Sequence, residues 1–175
     1  MKNPLQKGFT LIELLIVIAL LGALAVGLIG TIDPFEQLKK GTDTSTRNTV
    51  SEVHSSIIRY YALKGRMPWC TIDSVCGTPS ATRIGSMLVS DTETVPGALS
   101  MIIGTGELKS NFADIQSKEL DKIYVSGDDA NATVCYHPVS KSFNTDDNSK
   151  YDIDGVTPKD GCPGAVGNFC YWCVQ

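Results

Sequence analysis

An uninterrupted apolar run near the N-terminus limits what this chain can fold into. The run extends over 24 residues, from Phe9 to Ile32, and its only ionisable side chain is that of Glu13. As a helix it would be roughly 36 Å long, enough to cross the ~30 Å hydrocarbon core of a bilayer. It is apolar on every side, whereas a helix on the surface of a soluble protein has a polar face. The sequence therefore predicts a transmembrane helix.

Glu13 carries an ionisable side chain within this apolar run. An ionised carboxylate in hydrocarbon costs several kcal/mol or becomes neutral. One interpretation places it near the lipid headgroups, which a short Glu side chain reaches only in part. The other gives it a function and a partner, as is typical of ionisable residues within membranes.

A short basic leader precedes the run, with Lys2 and Lys7 and no acidic residue. One interpretation is a secretory signal peptide cut after Ala25, because Ala23-Leu24-Ala25 fits the A-x-A pattern of such sites. Against it, Glu13 interrupts the apolar region, and further apolar residues follow Ala25. The leader format favours a cytoplasmic N-terminus.

Residues 7–14, Lys-Gly-Phe-Thr-Leu-Ile-Glu-Leu, closely resemble the signature of the type IV pilin and pseudopilin family. The resemblance implies that prepilin peptidase cuts the Gly8–Phe9 bond at the cytoplasmic face and that the new amine of Phe9 is methylated. It also implies the partners: further copies or related subunits in a filament, an assembly platform, and membrane lipid before assembly.

The physics of a buried charge agrees with this resemblance. Cleavage would create an ammonium on Phe9, four residues before Glu13, and opposite charges attract far more strongly in a low dielectric than in water. A misplaced subunit would leave a buried charge unpaired, which is costly. We therefore predict that Glu13 sets the register of subunits during assembly, as a polar group does in a coiled coil.

Beyond the apolar run, Asp33-Pro34 interrupts the pattern, either as a kink or as a new helix start with Asp33 as its N-cap. The sequence then predicts a second helix over Phe35–Lys64, ended by Gly65. Its apolar stripe consists of Val50, Val53, Ile57 and Tyr61, whereas residues 39–49 are polar on every side and indicate a solvated helix or a flexible link.

The remaining chain contains patterns typical of a small antiparallel sheet. Strands are predicted over 122–126, 132–138 and 169–174, the first two joined as a hairpin, and a short helix over 107–116. The predicted fold class is α+β, a long N-terminal helix packed on a sheet of about three strands. The predicted segments are a leader (1–8), a transmembrane or filament-core helix (9–32), an amphipathic helix (33–69) and a disulfide-stabilised extracellular domain (70–175).

All six cysteines lie in that last segment: Cys70, Cys76, Cys135, Cys162, Cys170 and Cys173. Their even number and their restriction to the polar part indicate disulfides and an oxidising compartment. Buried reduced thiols and a zinc site at Cys170-Tyr-Trp-Cys173 are alternatives, although the zinc site lacks a second ligand pair. Cys70–Cys76 is the predicted local bond. Cys170 and Cys173 would face opposite sides of a strand and should not pair with each other.

An acidic loop lies between the last two predicted strands and contains Asp146, Asp147, Asn148, Asp152 and Asp154. It is either a solvated charge cluster or a calcium site at Asp152 and Asp154, because calcium prefers six to eight oxygen ligands. Similar loops bind calcium in the major pseudopilins, to which the chain is similar. No other cofactor is predicted.

The net charge of the chain bears on the partners that it can bind. At −4, with a sequence pI near 5.1, the chain does not suit a general nucleic-acid partner, which would need clustered Lys and Arg. No signature of a catalytic site is present, so we predict a structural filament subunit, stored in the cytoplasmic membrane and then moved into an extracellular filament. The alternatives are a pseudopilin of a secretion system, acting in the periplasm, and a tethered or secreted binding domain that does not polymerise.

The cleavage site leads to the first testable prediction. The mature protein should begin at N-methylated Phe9, and intact mass together with N-terminal sequencing of membrane-fraction protein would measure this. A mature start at Val26, or a chain that keeps Met1, would contradict the pilin interpretation.

Overall fold

The computed structural model describes residues 8–31, 33–70, 76–85, 97–164 and 169–175. The predicted leader up to Lys7 and the last residue of the predicted span, Ile32, lie outside these ranges. The described chain forms two compact units, one reaching Gln37 and the other comprising Leu38–Gln175. We describe each unit by itself.

The first unit contains helix α1, Leu11–Thr31. None of its residues is buried, and it is the one helix in the described ranges that is long and apolar enough to cross a membrane, with a mean hydropathy of 2.8. Every backbone group inside such a helix is paired within the helix itself, which is the condition for stability in lipid.

Helix α2, Pro34–Lys64, begins with a cap that the sequence predicted as one of two alternatives. The Asp33 carboxylate accepts hydrogen bonds from the backbone N–H groups of Phe35 (3.1 Å) and Glu36 (3.3 Å), and Pro34 takes the first helical position. The helix ends as expected at Gly65, which has a φ of +67° and donates its N–H to the Tyr61 carbonyl.

An antiparallel sheet of four strands lies in the second unit, in the order β1-β2-β3-β4. Its strands are β1 (Thr82–Arg83), β2 (Ile123–Gly127), β3 (Ala132–Tyr136) and β4 (Trp172–Val174). The last three are the predicted strands, each with slightly different ends. The two-residue β1 is too short to produce a sequence pattern.

The described part of this unit also contains four short helices: α3 (Ala98–Gly104), α4 (Phe112–Ile115), α5 (Ser117–Leu120) and α6 (Lys141–Asn144). The predicted helix over 107–116 is therefore reduced to one turn, α4. Leu108 is buried but Ile115 is 66% exposed, so these two residues do not share one buried side.

One buried cluster joins α2 to the inner side of the sheet. From α2 it contains Val50, Val53, Ile57 and Tyr60, which recur every three or four residues. The predicted stripe ended at Tyr61, but Tyr61 is 37% exposed and Tyr60 takes the buried position. From the sheet, alternate residues such as Val125, Val134 and Trp172 face the same cluster.

Residues 39–49 form the helix that the sequence offered as one of two alternatives, but this helix is not solvated on every side. Asp43, Thr46 and Thr49 are buried against other parts of the unit. Asp43 Oδ2 accepts hydrogen bonds from the Ser140 N–H (2.8 Å) and hydroxyl (2.6 Å), and Oδ1 accepts one from the Val139 N–H (3.1 Å). A buried stripe can therefore be polar, provided that each polar group finds a partner.

Asp43→Ala should destabilise the protein, because it removes a buried acceptor and leaves two backbone donors and a hydroxyl without it. We expect a loss of about 3 kcal/mol in the free energy of unfolding. Urea unfolding of the detergent-solubilised chain would measure it. The matched control, Thr44→Ala on the exposed side of the same turn, should cost less than about 0.5 kcal/mol. Equal costs would contradict the role given to Asp43.

Candidate processing and assembly site

The predicted cleavage junction lies in exposed, non-helical backbone just before α1. Gly8, Phe9 and Thr10 precede the first helical residue, Leu11, and all three are exposed. A Cβ added at Gly8 would meet no atom within 4 Å. The described fold therefore does not itself require glycine at this position, and a requirement there would have to come from a protein that acts on the junction.

Glu13 and Thr10 form a reciprocal cap at the start of α1. The Glu13 Oε2 atom accepts hydrogen bonds from the Thr10 N–H (2.8 Å) and hydroxyl (2.7 Å), and the Thr10 Oγ1 atom accepts one from the Glu13 N–H (3.4 Å). This arrangement is a capping box, in which two backbone donors at a helix start are satisfied by side chains three residues apart.

The sequence interpretation missed this cap, although its signal was present. Thr10-Leu-Ile-Glu13 before an apolar run is the pattern of a capping box. The sequence prediction for Glu13 rests on its charge alone, with either a headgroup position or a partner on another subunit. The cap gives the carboxylate a local role in addition, and the negative charge also suits the positive end of the helix dipole.

Both Thr10 donors bind the same carboxylate oxygen, Oε2. The other oxygen of Glu13 can therefore accept a hydrogen bond from a second group without disturbing the cap. In the chain with its leader, the Phe9 nitrogen is a peptide nitrogen, and it becomes an ammonium only if the Gly8–Phe9 bond is cut.

The six cysteines form three disulfides: Cys70–Cys76, Cys135–Cys173 and Cys162–Cys170. The structure thus contains the predicted disulfides rather than free thiols or a zinc site. The first is the predicted local bond, and Cys170 and Cys173 belong to different bonds. Cys135 and Cys173 are register partners on β3 and β4, so their bond fixes the last strand to the sheet.

The acidic loop lies against this inter-strand disulfide. Gly155 is buried and has a φ of +73°, and a Cβ there would lie 2.5 Å from Cys135 Sγ and collide with the methyl group of Thr133. The Gln175 side chain donates to the Gly155 carbonyl (2.6 Å). The loop therefore covers the outer side of the sheet where β3 and β4 meet.

The two candidate calcium ligands in this loop have other partners. Asp154 accepts hydrogen bonds from the N–H groups of Val156 and Thr157 (3.0 Å each) and from the Thr157 hydroxyl (2.7 Å). Partial burial opposes its ionisation, but these bonds from Thr157 and Val156 together outweigh burial and lower the pKa of Asp154. The Asp152 carboxylate binds the Lys159 ammonium (3.2 Å).

No group of three or more His, Cys, Asp or Glu side chains that could hold a metal ion occurs within the described ranges. The contacts of Asp152 and Asp154 instead stabilise the turn of their own loop. This arrangement gives the calcium hypothesis no support.

Comparisons with known proteins agree with the N-terminal geometry. The prokaryotic N-terminal methylation motif matches residues 3–29. A fimbrial protein of Neisseria meningitidis is 30% identical over 159 residues, which cover 86% of this chain and 85% of the relative. The chain belongs to the type IV pilin family.

A second relative, the type IV major pilin protein PilE of Neisseria gonorrhoeae, is 26% identical over 144 residues, 82% of each chain. No solved structure matches this pilin significantly. Because the similarity to both relatives extends well beyond the N-terminal motif, it includes the domain formed by α2 and the sheet. The pilin is a structural subunit, as the sequence predicted.

Substitution of Gly155 would test how the acidic loop covers the sheet. Gly155→Ala should lower the free energy of unfolding by about 3 kcal/mol or more, because it adds both left-handed backbone strain and a collision with the disulfide. Gly106→Ala is the matched control: its φ is +82°, but a Cβ there would meet no atom within 4 Å. It should therefore cost only about 1 kcal/mol, the strain alone. Equal losses in urea unfolding would show that the loop does not press on the disulfide.

Proposed function

We propose that this pilin is processed between Gly8 and Phe9, methylated on Phe9, and assembled into a filament in which Glu13 of one subunit pairs with the Phe9 ammonium of its neighbour. The observation that carries the proposal is the capping box, which holds the only charged side chain of α1 at the helix start with one oxygen available. Prepilin peptidase, as the resemblance implies, would supply the cleavage.

The strength of the attraction between Glu13 and the Phe9 ammonium depends on what surrounds the two charges. In the membrane, α1 contacts lipid on every side, and its N-terminus lies close to the headgroups, where water weakens any charge pair. Within a bundle of α1 helices, water is excluded, so an ammonium and a carboxylate attract more strongly and each becomes costly if left unpaired. Pairing therefore favours the assembled register over any other.

Each mature subunit contributes one ammonium, on Phe9, and one carboxylate, on Glu13, which lie four residues apart at the start of α1. A filament can then satisfy every charge by a repeated contact from each subunit to the next. The capping box prepares the acceptor, because Thr10 fixes the Glu13 side chain before the neighbour arrives, which reduces the entropy lost on pairing.

The disulfide-linked second unit supports an oxidising location for the domain formed by α2 and the sheet. We propose that the precursor is a single-pass protein of the cytoplasmic membrane, with its N-terminus in the cytoplasm, and that the mature subunit forms an extracellular filament. The proposal is structural and includes no enzymatic step. Calcium is not part of it, since Asp152 and Asp154 already hold their own turn.

Glu13→Gln would separate the charge from the cap. The Gln amide oxygen can still accept from Thr10, as Gln does in natural capping boxes, so α1 should insert and be processed normally. The ammonium of the neighbour would, however, lose its ionic partner, and we expect filament yield to fall at least tenfold. Yield in sheared surface material, seen by electron microscopy and compared at equal membrane levels of mature subunit, is the measurement.

Thr10→Val is the matched control. It removes the hydroxyl half of the cap but keeps the Glu13 charge, so filaments should still form. Normal filaments from Glu13→Gln together with poor filaments from Thr10→Val would reverse the assignment: Glu13 would then act through the cap alone, and the pairing proposal would be wrong.

A further inference from the structure

The buried stripe of α2 separates two exposed flanks of the second unit. The α4 flank comprises Glu52, Arg59, Glu107, Lys109, Phe112 and Ile115, and the hairpin flank comprises His54, Ile58, Asp128, Asp129 and Val156. Because a helix turns by about 100° per residue, Glu52 and His54 point in directions roughly 160° apart around α2. The two flanks therefore face away from each other within one compact unit.

Each flank combines a groove with a protruding aliphatic side chain. On the α4 flank, a groove of about 550 Å³ is bordered by Ile115, which is 66% exposed. On the hairpin flank, a groove of about 630 Å³ is bordered by Val156, which is 67% exposed, and by Ile58. Single exposed aliphatic residues are common. Here each stands at the edge of a groove large enough to receive the other.

The charges of the two flanks differ. On the α4 flank, Arg59 binds both Glu107 (2.6 Å) and Glu52 (3.2 Å), and the exposed Lys109 brings the formal charge to zero. On the hairpin flank, Asp128 accepts hydrogen bonds from the Ala130 and Asn131 N–H groups, which lower its pKa and keep it ionised. Asp129 follows it, and partial burial lowers the pKa of His54, so this imidazole is neutral at pH 7.

These charges favour contact between unlike flanks. Two hairpin flanks would bring four carboxylates together, whereas an α4 flank offers Lys109 to the carboxylates of a hairpin flank. Contact between like flanks would also be isologous and would close as a dimer. Contact between unlike flanks is heterologous and can continue from subunit to subunit without closing, which is the requirement for a filament.

We infer that the α4 flank of one subunit docks on the hairpin flank of the next, with Ile115 in the groove beside Val156 and Lys109 facing Asp128 and Asp129. The occupant of each flank is thus a second copy of this chain. The inference depends on the proposed filament, and it adds a contact between the disulfide-linked units to the one formed by the α1 helices.

Cysteine cross-linking of whole filaments would test the contact. In the double variant Ile115→Cys/Val156→Cys, oxidation should join neighbouring subunits in series and give a ladder of covalent oligomers without reductant. Co-expression of the two single variants should give dimers and no ladder, since each subunit then has one added thiol. Either single variant alone should stay monomeric, because like flanks do not meet.

The controls make each outcome decisive. Ser55→Cys/Val156→Cys places the first thiol on the solvent side of α2 and should give no ladder. Normal filaments without a ladder from the Ile115→Cys/Val156→Cys pair, or dimers from one single variant alone, would overturn the flank contact and leave the filament proposal intact. Absence of filaments from the wild-type chain would instead reject the filament proposal itself.

A charge exchange gives a second measurement that needs no added thiols. Lys109→Glu should lower filament yield by up to about fivefold at low salt, because an exposed ion pair contributes at most about 1 kcal/mol. Adding Asp129→Lys should restore the yield. Equal yields from wild type, Lys109→Glu and the double variant would contradict the pairing of these charges.

Discussion

The surroundings that α1 requires determine most of what this protein can do. A strongly apolar helix of 21 residues with no buried side chain exposes its whole hydrophobic surface, which is unfavourable in water. Lipid can cover it before assembly, and other copies of the same helix can cover it afterwards. Both surroundings are apolar, so the transfer between them gains little from the hydrophobic effect itself. Specific contacts, such as side-chain packing and the pairing of charges, must then decide between the two states.

The second unit satisfies a different requirement, because its stability depends on α2, the sheet and the connecting loops remaining together. Its apolar cluster joins α2 to the sheet, and Asp43 extends this contact with hydrogen bonds to the backbone before α6. Cys70–Cys76 and Cys162–Cys170 close loops outside the four strands, whereas Cys135–Cys173 fixes a strand of only three residues to the sheet. The acidic loop then covers that bond through Gly155.

The sequence predicted the structure correctly where a residue pattern depends on a single kind of surrounding. The apolar run and the alternating strands each reflect one dominant kind of surrounding, apolar on every side or on one face only, and the Lys-Gly-Phe-Thr-Leu-Ile-Glu motif lies within the residues that match the methylation motif. The sequence prediction failed where a residue has a partner far along the chain. Asp43 and Thr46 look like solvated residues until Ser140 and Glu119 are brought to them by the fold. Tyr60 and Tyr61 show a smaller limit of the sequence prediction, because helical periodicity alone does not tell which of two adjacent residues is buried.

The cap at Glu13 differs from these failures, because all of its information was local. One carboxylate can satisfy the helix start through one oxygen and a neighbouring subunit through the other. The cap therefore need not open when the subunit leaves the membrane, and the backbone of α1 can stay unchanged. In the proposed assembly, only the partner of the second oxygen would change, from water or lipid headgroups to the ammonium of a neighbouring subunit. A residue that looks misplaced in an apolar helix thus caps the start of that helix, and in the proposed filament the same residue would also set the register of the subunits.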